Sequence, residues 1–364
     1  MSAAPIIVDA HEDLAFNMLT LGRDYAKPVE ETRRREIGSD IVKRQGDTTI
    51  SWQEYQRGRI ALVFATIFAI PVRGVWSPDW GRQAYANQEE AHTICGGQLD
   101  TYSQLFDQHP DKFAPVCSTR QLEPVLEKWT QPDSAAPTGL VTLMEGADGI
   151  LTISELEYWW KRGVRIIGPA WRATRYCGGT GEPGPLTQEG RDLLGAMAPY
   201  GFVLDLSHMA WESALEALDL YEGPVIASHS NALKQVKDGK GSRSLPDEII
   251  EGIIQHSGVI GIVPFNGFLD QGWKRSSPRS DYPLDMVAAQ MDYICQKAGN
   301  ASHVGFGTDF DGGFGMQHIP PELDTIADLQ KLAPLLTARG HSEDDIVAIF
   351  GGNWIDILRR SLPS

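Results

Sequence analysis

Cysteine is scarce in this chain, and the four present, at positions 95, 117, 177 and 295, form no C-x-x-C pair. Their spacing argues against a thiolate zinc site and a redox motif, and points to a reducing, cytoplasmic setting. Basic residues are also short, 32 Lys and Arg against 48 Asp and Glu, for a formal charge of -16. Such a surface repels phosphate backbones and anionic lipid, so neither nucleic acid nor a membrane is expected as a partner. The one basic run, Arg33-Arg34-Arg35, is bracketed by Glu30, Glu31 and Glu36 and reads as a solvated helix face. Long hydrophobic runs are missing too. The longest, Ile60 to Val72, is too short and too β-branched to cross a bilayer. Met1 leads into a strand without the basic and apolar segments of a secretory signal, so none is expected.

Several catalytic signatures are lacking. An H-E-x-x-H zinc helix beginning at His11 needs a histidine at position 15, where the chain has Ala15. No G-x-S-x-G nucleophile elbow occurs. The stretch "GGTGEPG", Gly178 to Gly184, lacks the Lys-Ser/Thr of a phosphate loop and reads as a flexible turn.

What is there is an ordinary globular composition, 42% hydrophobic and 22% charged over 364 residues. Eight short β-branched runs stand out: Ile6 to Asp9, Ala61 to Ala69, Leu140 to Met144, Val164 to Ile167, Phe202 to Leu206, Val225 to Ala227, Val259 to Val263 and Val304 to Gly307. Their hydrophobicity is continuous rather than alternating, as strands covered on both faces require. Helical patterns separate them, for example Trp211 to Tyr221 and Pro246 to His256. The expectation is an α/β fold, a TIM (β/α)8 barrel forming a single domain over 1-364. Three longer connections, Gly22 to Arg57, Arg172 to Gly190 and Asp270 to Pro283, are expected as lids over its mouth. The polar stretch Gln131 to Thr138 reads as a loop.

Active sites of such barrels form where the strands end, and here those ends carry His11 and Asp13, Glu145, Trp171, His208, His229, Asn266 and Asp309. His11 and Asp13, two apart at a strand end, point the same way and can chelate one cation. Alone, such a pair is more often a hydrogen-bonded strand terminus. The endings "LMEG", "LDLSH" and "VIASH" add Glu145, His208 and His229, giving an imidazole and carboxylate set suited to zinc or a similar divalent ion. In "GTDFDG", Asp309 can move the proton of an attacking water, while Asp311 reads as a turn or supporting residue. Glu12 points away from the pair and reads as a supporting or surface group, and Asp9 as a possible support.

Read together and in order, "DAHEDL", "LMEGAD", "GFVLDLSH", "PVIASHSNA", "RSLPDE", "HVGFGTDFDG" and "GGNW" resemble the membrane (renal) dipeptidase family, the M19 metallopeptidases among the amidohydrolase-like barrels. The resemblance implies two divalent ions, zinc in kind, with His11 and Asp13 on one, His208 and His229 on the other, and Glu145 bridging. It implies Asp309 as acid and base, and Arg243 of "RSLP" as the residue binding the substrate's terminal carboxylate. Arg243 also reads as a surface ion pair at a helix start. The implied substrate is a small dipeptide, and a homodimer is compatible with it. One position departs. Where the family pattern "GVRYLTLTH" ends in a histidine facing the substrate carbonyl, this chain reads "GVRIIGPAW" and carries Trp171. Indole donates one hydrogen bond but takes no positive charge, so it stabilises an oxyanion less well. Trp171 then either stacks on substrate, with Arg172 or Arg175 supplying the lost donor, or is a packed aromatic. Two alternatives to a dipeptidase follow: a hydrolase of a different small amide, or a metal-stabilised binding protein without turnover.

Overall fold

Continuous apolar strands need cover on both faces, and all eight expected runs receive it in a ring. The computed structural model describes residues 4–131, 135–241 and 243–364; part of the expected loop, 132–134, lies outside the described residues. The strands are β1 (Ile7–Glu12), β2 (Ile60–Phe68), β3 (Thr138–Glu145), β4 (Val164–Gly168), β5 (Val203–Asp205), β6 (Val225–Ile226), β7 (Ile260–Ile262) and β8 (Val304–Phe306). They pair in parallel, in sequence order from β1 to β6, and from β7 through β8 back to β1. A parallel bridge between Ala227 and Ile260 joins β6 to β7, so the ring nearly closes. This is the (β/α)8 barrel expected from the sequence.

Neighbouring residues of β1 to β4 enter different packed sets, which is why alternation is absent from the sequence. Val8, Leu62, Phe64, Val141 and Ile166 share one set with Trp354 of the last helix, Asn353–Ser361. Ile7, Val63, Leu140 and Ile167 share the other with residues of the surrounding helices, among them Leu99, Leu193 and Ile250. The helices Trp211–Leu220 and Asp247–Gln255 lie within the expected spans. A ninth short strand, Phe113–Pro115, pairs in parallel with the start of β3, and its three residues are too few for a sequence pattern.

Two readings are corrected. The glycine-rich stretch is no flexible turn but part of an antiparallel hairpin, Cys177–Gly179 against Glu182–Leu186. A Cβ on Gly178 would lie 2.2 Å from the Gly184 nitrogen, so close backbone approach explains the glycines. The basic run is not wholly solvated either. Arg34 and Arg35 are exposed, but Arg33 pairs with Asp324 at 3.0 Å, and the flanking Glu36 is buried on Arg23 at 3.0 Å.

That buried pair continues into Asp311. Its carboxylate takes Arg23 Nη1 at 2.8 Å, the Thr49 backbone N–H at 2.9 Å and the Tyr25 hydroxyl at 3.2 Å. The segment 22–57 is thereby fastened to the loop after β8. Asp311 also holds a left-handed backbone, φ 64, which Asn tolerates as well as Asp. Asp311→Asn therefore keeps the turn but removes the charge facing Arg23. We expect it to cost on the order of 3 kcal/mol, read as a lower urea midpoint at unchanged m-value.

Candidate metal centre

Six groups from five strand ends meet at one point of the rim. His11 lies in β1, and Asp13 follows it at the start of the helix Leu14–Leu21. Glu145 is the last residue of β3, while His208, His229 and Asp309 follow β5, β6 and β8. One oxygen of Glu145 lies 3.2 Å from His208 Nε2 and 3.4 Å from His229 Nε2. Its other oxygen lies 3.7 Å from His11 Nε2, which is 3.8 Å from Asp13 Oδ1. Asp309 offers an oxygen within 4.8 Å of His11 and Asp13 donor atoms. His208 and Asp309 both hold left-handed backbones, φ 67 and φ 56. Non-glycine residues persist there only when their surroundings over-determine them, as at functional sites.

The residues behind the cluster aim it. Ser228 Oγ donates to Asp205 Oδ2 and lies 2.8 Å from His229 Nδ1. With its one proton given to Asp205, the Ser228 hydroxyl accepts from His229 Nδ1–H, which leaves Nε2 as a free lone pair. His208 Nδ1 lies 2.9 Å from Thr180 Oγ1, and Asp13 accepts from the Thr66 hydroxyl. Asp9 accepts from Thr308 N–H at 2.7 Å and so holds the end of β8 against β1. Glu12 is fully buried on the Tyr55 hydroxyl, which rules out the surface reading.

These residues fit a cation. Two imidazole nitrogens meet at 2.9 Å, and burial pushes both His208 and His229 well below the ordinary histidine range, so neither is charged. Burial, then Arg243, takes His11 down to about 3. Burial raises Asp13 to about 6, and burial followed by the charge on Asp13 pushes Glu145 and Asp309 well up. Converging lone pairs and crowded buried carboxylates are the pattern that a divalent ion relieves.

The remaining sequence candidates divide. Arg243 lines the same cavity, of about 420 Å³. It donates to the His229 carbonyl at 2.9 Å and to Ser230 Oγ at 3.1 Å, and stacks over Phe268 at 4.7 Å. Among the described residues it has no carboxylate within ion-pair distance, which overturns the surface ion-pair reading. Trp171 lines the cavity while packing on Phe68 and Trp80, so its two readings are one position. Arg172 reaches the cavity, whereas Arg175 turns away to the Ile150 and Leu151 carbonyls and supplies no donor. Asn266 is fully buried and is not part of the cavity wall.

Asp205, Ser228 and Thr180 were not singled out from the sequence, although a serine precedes both His208 and His229. The supporting role of Ser228 has a direct consequence. Ser228→Ala is expected to weaken retention of a divalent ion about 10- to 100-fold, read by competition with a chromogenic chelator, with the fold unchanged by circular dichroism.

Comparison with known proteins gives the family and the fold. The family model described as membrane dipeptidase (peptidase family M19) matches residues 1–361. An uncharacterised protein from the pqqA 5' region of Klebsiella pneumoniae is 30% identical over 231 residues, 61% of this chain and 81% of that protein. Dipeptidase aclJ of Aspergillus oryzae is 25% identical over 361 residues, 97% of this chain and 77% of its own length. Among solved structures, dipeptidase AC, a metallo peptidase of family M19, superposes with a TM-score of 0.78 at 21% identity, covering 100% of both chains. A Rhodobacter sphaeroides metallo peptidase, liganded with a phosphinate mimic of L-Ala-D-Ala, does so at 0.78 and 20% identity, covering 99% of this chain and 100% of its own. Family M19 implies a divalent metal, and the donor set assembled here suits one. The chain belongs to the membrane dipeptidase family, peptidase family M19, and is a metallo-dipeptidase.

Proposed function

We propose that the chain is a binuclear zinc dipeptidase that hydrolyses the single amide of a small L-Xaa-L/D-Xaa dipeptide with a free C-terminal carboxylate. The observation that carries this reading is Glu145, with one oxygen on the His208 and His229 pair and the other facing His11. His11 and Asp13 would hold one ion, His208 and His229 the other, and Glu145 would touch both. Two such ions supply a polarised carbonyl and a water acidified towards neutrality.

The chain's own groups account for the remainder. Arg243 carries a positive charge in the cavity wall without a carboxylate of its own, which suits the substrate's C-terminal carboxylate. The stereochemistry at that end follows the L-Ala-D-Ala mimic held by the Rhodobacter sphaeroides relative. A carboxylate oxygen of Asp309 takes the proton as water attacks the carbonyl carbon. It returns that proton to the amide nitrogen as the C–N bond breaks. Burial raises its pKa, which makes it the stronger proton acceptor in the first step.

With zinc- or manganese-reconstituted protein, a panel of L,L and L,D dipeptides is expected to be cleaved. Asp309→Asn should lower kcat about 10²- to 10⁴-fold, and Arg243→Ala should act chiefly on KM. Inertness of the loaded protein towards the whole panel rules the reading out.

A second reading, hydrolysis of a different small amide, is favoured by Trp171 in the cavity wall. On that reading, Trp171→His restores a carbonyl-side donor and raises dipeptide turnover, by up to about a hundredfold. Unchanged turnover removes the reason for it.

A further inference from the structure

The strand order gives the cavity two unlike halves. Arg243 follows β6, Phe268 follows β7 and Phe314 follows β8, so one half of the wall belongs to β6–β8. Phe68 ends β2, Trp76 and Trp80 come after it, and Trp171 follows β4. In a ring running from β1 to β8, β2–β4 faces β6–β8.

The β2–β4 half is a continuous aromatic surface. Trp171 lies 5.2 Å from Phe68 and 6.1 Å from Trp80, ring centre to ring centre, and Trp80 lies 4.7 Å from Trp76. The wall abuts the metal centre, with Trp171 6.2 Å from His208. Trp80 is 7% exposed, held in place by Phe16 and Phe68, but Trp76 at the outer end is 49% exposed. The loop after β8 leaves the rings room. Gly313 has φ +89, and a Cβ there would come within 3.0 Å of the Trp80 ring and 3.4 Å of Trp76. An indole lining a substrate cavity and left half uncovered offers a large apolar face to whatever enters.

We propose that the wall of Trp76, Trp80 and Trp171 selects an aromatic or large apolar side chain on the acyl side of the scissile amide. The inference rests on the dipeptidase reading. A dipeptide spans about 7 Å, too short to fold back on itself. With its carboxylate on Arg243 it crosses Glu145 and meets the opposite wall with its N-terminal side chain. That side chain is then stacked on rings at its flat face and dehydrated, while a methyl group leaves the wall wet. Arg172, whose guanidinium lies 5.5 Å from the Trp171 ring, pairs with Glu182 at 3.5 Å at the edge of the wall, and an ammonium group laid against these rings loses hydration.

The test compares kcat/KM of the metal-reconstituted full chain for Ala-Ala, Leu-Ala, Phe-Ala and Lys-Ala, repeated with Trp76→Ala and Trp76→Phe. Because Trp76 is half exposed, its replacement leaves the packed core in place. We expect Phe-Ala to exceed Ala-Ala by about tenfold or more, with Lys-Ala lowest. Trp76→Ala should lower the Phe-Ala to Ala-Ala ratio several-fold, and Trp76→Phe should recover most of it. Cleavage of all four at similar kcat/KM, or a ratio indifferent to Trp76→Ala, overturns this inference while leaving the dipeptidase reading standing. No cleavage of any member overturns that reading, and this inference with it.

Discussion

Glu145 is shared between the neutral imidazoles His208 and His229 on one side and His11 on the other, in a rim with two further buried carboxylates. Burying several carboxylates together is costly unless each is hydrogen-bonded or paired with positive charge. That constraint explains the polar residues packed beneath the rim. Asp205 and Ser228 set the face of His229, Thr180 sets that of His208, Thr66 holds Asp13, and Asp9 clamps β8 to β1. Each supports a donor atom by fixing the group behind it, so the site is pre-formed by the barrel rather than gathered by flexible loops.

The same constraint reaches outwards through Asp311. Two residues beyond Asp309, it neutralises the buried Arg23 and takes four further donors from the segment 22–57. The left-handed turn carrying Asp309 is thus braced from outside, and Asp309 N–H is held by the His11 carbonyl at 3.1 Å. A charged surface segment and a catalytic candidate are parts of one hydrogen-bonded unit.

Trp171 gives one side of the cavity its apolar character. A histidine at that place offers a hydrogen bond and a charge. The indole instead completes an aromatic row with Phe68, Trp80 and Trp76. The position lies just beyond the end of β4, 6.2 Å from His208, so the indole forms part of the wall beside the metal-ligand candidates.

Much of the barrel was legible because β-branched runs buried on both faces leave a local imprint, and His11, Asp13, Glu145, His208, His229 and Asp309 all stand just at or after such runs. The position of each along the chain was therefore determined by the sequence itself. Other features were not legible, because they depend on residues far apart in the chain. The bond from Ser228 to His229 spans one residue, but its aim depends on Asp205, 23 positions earlier. The burial of Glu12 depends on Tyr55, the burial of Asp311 on Arg23, and the ordered hairpin on Gly178 meeting Gly184. Trp76 and Trp80 join Trp171 only because β2 and β4 both flank β3 in the ring. The sequence by itself determined which donor types stand at which strand ends, since strand period and burial are local. The tertiary structure alone decided which way each donor points and what faces it, since closure of the ring brings distant strand ends together.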